Sequence, residues 1–89
     1  MQKIMFDGGE RRHVRLRIHA AGDAPFRIKT ARYELESVSQ VIDSGDCEID
    51  EHVIDAYIIV PDVRTRYTFR IIYEINDETL KEKLELVVV

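Results

Sequence analysis

Between Val41 and His52 the chain reads VIDSGDCEIDEH, five acidic residues around Gly45. Carboxylates gathered by a tight loop are what calcium requires, since it takes six to eight oxygen ligands. Asp43, Asp46, Glu48 and Asp50 are therefore the candidate cation ligands, and an acidic, calcium-dependent binding module is one functional expectation. The spacing differs from the twelve-residue helix–loop–helix site, because Gly45 stands only two residues after Asp43. Asp46, Glu48 and Asp50 also share a parity, as the solvated face of a strand would. A negatively charged turn at Asp43–Asp46 is the main expectation, with no metal and no cofactor.

Other chemistries find less. The three histidines are His13, His19 and His52, and the single cysteine is Cys47. His13 and His19 share a strand face, but six residues of strand span roughly 20 Å, too far for one ion. Cys47 stands among acids, which disfavour its thiolate, so it reads as a small core residue rather than a nucleophile. Ser37, Ser39 and Ser44 lack the strand–turn–helix context of an activated serine. No nucleophile, base and orienting group are placed to converge, so no enzyme is expected. Arg11, Arg12, Arg15, Arg17, Arg27 and Lys29 could form a basic face. Single-stranded nucleic acid wants aromatics interleaved with such charges, and the His13–His19 strand has none. No nucleic-acid partner is expected.

The elements that must position these groups are short and alternating. In RRHVRLRIHA, Val14, Leu16, Ile18 and Ala20 share one face and His13, Arg15, Arg17 and His19 the other. The same period of two runs through Ile54–Val60, Tyr67–Ile75 and Leu80–Val88, and marks half-buried strands. PFRIKTARYEL breaks step: Phe26 and Ile28 are even, Ala31, Tyr33 and Leu35 odd. One extra residue near Lys29–Ala31, a β-bulge, would keep both sets inward. Turns are expected at Asp7–Glu10, Gly22–Pro25, Asp43–Asp46, Pro61–Asp62 and Asn76–Glu78, each carrying Gly, Pro, Asn or Asp. The expected strands are Lys3–Phe6, His13–Ala20, Phe26–Leu35, Val38–Ile42, Cys47–Ile49, Ile54–Val60, Tyr67–Ile75 and Leu80–Val88. No long stretch has a helical period.

The pattern fits one all-β domain over residues 1–89, an antiparallel β-sandwich of about seven strands. Its expected core is Val14, Leu16, Ile18, Phe26, Ile28, Tyr33, Leu35, Ile54, Ala56, Ile58, Tyr67, Phe69, Ile71, Tyr73, Leu84, Leu86 and Val88. Tyr57, Ile59, Ile72 and Val87 fall on the opposite parity, an unusual amount of apolar surface. They form the candidate protein-contact patch.

At 89 residues, 45% hydrophobic and 34% charged, the composition belongs to a folded domain. No apolar run approaches the ~18 residues of a membrane span, and MQKIMFDGGERR lacks the apolar block of a secretion signal. Cytoplasmic synthesis and no membrane partner are expected. Residues 1–35 carry eight Lys/Arg against four Asp/Glu, a net of +4; residues 36–89 carry five against thirteen, a net of −8. Basic strands pairing with acidic ones across a sheet would account for that split.

IIVPDVRTRYTFRIIYEI, with Pro61 closing one strand and Tyr67 opening the next, resembles the tyrosine-bearing corner of immunoglobulin-like or fibronectin III-like domains. The loop is longer than in the latter, and the Cys pair and Trp of antibody domains are absent. More narrowly, ARYELE, SGDCEID and YEINDETLKEKLELVVV resemble small single-domain accessory proteins of phage and prophage structural gene clusters. That resemblance implies a non-enzymatic structural or protein-binding module. Its partner would be another copy or a virion component, and it carries over no catalytic residues.

Overall fold

A computed structural model describes residues 2–19 and 25–89. The described chain is all-β, with eight strands: β1 (Lys3–Phe6), β2 (Arg11–Arg17), β3 (Ile28–Ser37), β4 (Gln40–Asp46), β5 (Glu48–Asp50), β6 (Val53–Ile59), β7 (Arg66–Ile75) and β8 (Glu78–Val88). They form a five-stranded sheet in the order β1-β8-β7-β3-β4 and a three-stranded sheet in the order β2-β6-β5. Ala20, the expected end of the second strand, and most of the expected Gly22–Pro25 turn lie outside the described residues.

Alternation builds both sheets. One hydrophobic cluster takes Leu35, Phe69, Ile71 and Leu86 from the larger sheet and Val14, Ile54, Ala56 and Ile58 from the smaller. The inward parities of both sheets are thus buried against each other. Of the expected core, Leu16 and Phe26 are only partly buried and pack at its margin. Phe6, Ala31 and Val60 join it, at 1%, 7% and 1% exposure. A four-residue strand shows too little alternation to mark Phe6 as core.

The bulge is where the parity break places it. The β3–β7 register shifts between Ile28 and Thr30, and Ile28 and Ala31 both reach the core. A second shift, between Leu35 and Glu36, lies in the β3–β4 pairing.

Two expectations are corrected. Asp43–Asp46 is not a turn but part of β4, with Tyr33 opposite Gly45 and Leu35 opposite Asp43. The reversal falls at Val38–Ser39, between paired Ser37 and Gln40, with φ of 49° and 64°. Positive φ at both central residues is the type I′ pattern, which normally selects Asn-Gly. Gly45 has a different purpose: a Cβ there would lie 2.9 Å from the Tyr33 ring. The aromatic ring needs the glycine's empty side.

The sandwich is also not wholly antiparallel. β1 pairs in parallel with β8, Lys3 opposite Glu85 and Phe6 opposite Val88. A turn at Asp7–Glu10, closed by the Glu10 N–H donating to the Asp7 carbonyl (3.1 Å), carries the chain from β1 to the other sheet. β1 covers only the last four residues of the eleven-residue β8, Glu85 to Val88. The Arg12 guanidinium lies 3.8 Å from the centre of the Phe6 ring and donates to the Met5 carbonyl at 2.8 Å. It closes the core where β1 and β2 meet.

Candidate functional site

The outer face of the three-stranded sheet carries the most varied exposed chemistry. Along β2 it presents Arg11, His13, Arg15 and Arg17, all exposed. Register sets these opposite Ile59, Tyr57, Asp55 and Val53 of β6. Tyr57 and Ile59 are each 50% exposed. The rings of His13 and Tyr57 are 4.7 Å apart and tilted by 49°. Asp55 binds two groups of β2, with His13 Nδ1 at 2.8 Å from Oδ1 and Arg15 Nε at 3.2 Å from Oδ2.

Sequence alone missed the aromatic of this face. Tyr57 lies 44 residues from His13 in the chain, and only the β2–β6 register brings it between Arg11 and Arg15. The basic set is also divided. Arg12 turns inward onto Phe6, Arg15 is held by Asp55, and Arg11 and Arg17 remain exposed.

The four residues of the expected contact patch do not share a surface. Tyr57 and Ile59 lie on the smaller sheet, Ile72 and Val87 on β7 and β8 of the larger one. Ile72 is 7% exposed yet stands outside the core cluster. Its cross-strand neighbours are Arg32 and Lys81, side chains whose aliphatic stems cover apolar surface. Sequence parity told which side Ile72 takes but not what lies over it. Val87 is half-buried opposite Met5, which is 54% exposed.

On the larger sheet's outer face, Glu34 accepts from Arg32 Nη1 (3.1 Å) and Arg70 Nη1 (3.2 Å), and Glu36 lies 3.6 Å from Arg70. Burial raises the Glu34 carboxyl, but the two arginines outweigh it and hold the group below its ordinary range. Among the described residues, only His13–Asp55 and Arg15–Asp55 join a cation of residues 1–35 to an acid of residues 36–89, whereas Arg12–Glu10 and Arg66–Glu85 each stay within one part.

The expected cation ligands are spread along two strands of different sheets. Asp43 accepts from the Tyr33 hydroxyl at 3.3 Å and from the Ser44 N–H at 2.9 Å. Asp46 ends β4, and Glu48 and Asp50 lie on β5. Among the described residues no three His, Cys, Asp or Glu side chains gather with metal-binding geometry. Cys47 lies between, where the chain passes from one sheet to the other, its N–H donating to the Ala31 carbonyl (2.9 Å). It is partly buried against the core, and burial, with Asp46 and Asp55 adding to it, pushes its thiol up to about 11. No pocket is present among the described residues.

The chain matches no protein-family model, no curated protein and no solved structure at a significant level.

Proposed function

We propose that the chain is a non-enzymatic, immunoglobulin-like module that works by binding protein, as a structural or assembly component of a phage or prophage particle. The fold part of this reading is supported by strand order. β2-β6-β5 corresponds to B-E-D of an immunoglobulin-like sandwich, and β8-β7-β3-β4 to G-F-C-C′. The phage part is supported by the ARYELE, SGDCEID and YEINDETLKEKLELVVV segments.

The observation that carries the binding role is the half-exposed pair Tyr57 and Ile59, beside His13 and Arg11 on an open sheet face. Aromatic and arginine side chains on a flat surface supply most of the energy of protein contacts.

The test is co-expression with the products of the flanking genes. Co-purification with a capsid, portal or tail protein, reduced at least tenfold by Tyr57→Ser with Ile59→Ser, is the expected result. That loss corresponds to about 1.4 kcal/mol. A metabolic gene neighbourhood with no co-purifying product would overturn the proposal.

A further inference from the structure

β2 and β5 are the two borders of the three-stranded sheet, and no further strand lies beside either among the described residues. Their charges are opposite. β2 presents Arg11 and Arg17 outward, and neither has an ion-pair partner among the described residues. β5 presents Glu48 and Asp50, likewise exposed and without one. Charges on a sheet edge normally keep strands apart because like meets like; here the two borders attract.

Register sharpens the point. Glu48 stands directly opposite Asp55, a like-charged cross-strand pair. Asp55 is already engaged on its other side by His13 and Arg15, which leaves Glu48 beside an anion. A cation from outside the sheet is what that position lacks. Glu48 and Asp50 are two residues apart, roughly 7 Å along the strand, the spacing at which Arg15 and Arg17 repeat. Among the described residues Arg17 is the free cation of that pair, since Arg15 lies 3.2 Å from Asp55 of its own copy. A second β2 laid beside β5 would set basic side chains at cross-strand distance from both carboxylates.

We infer that the chain associates with itself head to tail, the basic β2 border of one copy seated against the acidic β5 border of the next. The inference deepens the protein-binding reading, and rests on it, by naming a second copy as a partner. The two borders differ, so the contact is heterologous: each copy joined leaves one border of each sign open, and assembly continues beyond two. A three-residue strand makes a short contact, so the association is concentration-dependent.

Sedimentation velocity of the full chain tests this, over a range of concentrations at low and at high ionic strength. At low salt the average mass should climb past two copies. It should return to one as the screening length falls from about 30 Å at 0.01 M to about 3 Å at 1 M. Arg11→Glu with Arg17→Glu, and separately Glu48→Lys with Asp50→Lys, should each give a monomer. Mixing the two variants should restore assembly. Circular dichroism confirms folding, and single reversals at Arg17 and Glu48 replace any double variant that fails to fold. A monomer at every concentration, a mass that stops at two copies, or assembly indifferent to both reversals would overturn it. Those outcomes leave co-purification with a neighbouring gene product, the test of the broader reading, untouched.

Discussion

Val38 sits at the tip of the β3–β4 hairpin with φ 49° and 97% of its surface exposed. A β-branched residue there is strained and gains nothing from packing, at a cost of roughly 1–2 kcal/mol. Replacing Val38-Ser39 by Asn-Gly should raise stability by about 1 kcal/mol, a rise of roughly 4–8 °C in Tm. Calorimetry checks this, and an unchanged or lower Tm would mean the turn is not strained. Gly45 runs the other way. Gly45→Ala sets a methyl against the buried Tyr33 ring and should cost about 1–3 kcal/mol by overpacking, read from denaturant midpoints.

Cys47 gives a pH signature. Its thiol titrates near 11 in the folded chain against an ordinary 9, so the folded state holds that proton more tightly. The resulting stability is complete below pH 9 and is lost as pH rises toward 11. Tyr33 and Tyr73 are shifted upward as well, by burial first and then by Asp43 and Glu82 respectively. Alkylation of Cys47 should accordingly be slow at pH 8 and speed up in the alkaline range where the thiolate forms. Rapid labelling at neutral pH would contradict its half-buried, acid-flanked setting.

At the scale of elements, β3 and β7 are joined on their outer face by Arg70, which reaches Glu34 and Glu36. Arg70→Ala leaves those two carboxylates without their shared cation, and should cost about 1–2 kcal/mol near neutral pH. The Glu34 carboxyl is held low, so its contribution is present above the ordinary carboxylate range and is lost as pH falls through the folded value. The gap between wild type and Arg70→Ala should therefore narrow in acid, which melting curves against pH would reveal. β1 depends on Phe6, and Phe6→Ala should cost about 3–5 kcal/mol.

For the whole molecule, a single core shared by both sheets predicts cooperative unfolding, with far-ultraviolet circular dichroism and tyrosine fluorescence changing together. With total stability of roughly 5–15 kcal/mol, loss of the Phe6 ring alone removes a large share of it. The larger sheet is bordered by β1 and β4 and the smaller by β2 and β5, and the borders of the smaller sheet present charges of opposite sign. Self-association belongs to that asymmetry.

Periodicity by itself determined the all-β class, most strand positions, the bulge near Lys29 and nearly all of the core, because side-chain direction follows a local rule of two. It could not place the β3–β4 reversal, since Val38-Ser39 has no turn chemistry and Gly45 advertises a turn it does not make. Nor could it decide which strands pair. That β1 runs parallel to β8, that Tyr57 faces His13, and that Ile72 lies between Arg32 and Lys81 are consequences of register between segments far apart in the chain. Register is settled by how the whole core packs, and alternation within one strand carries no record of its neighbour.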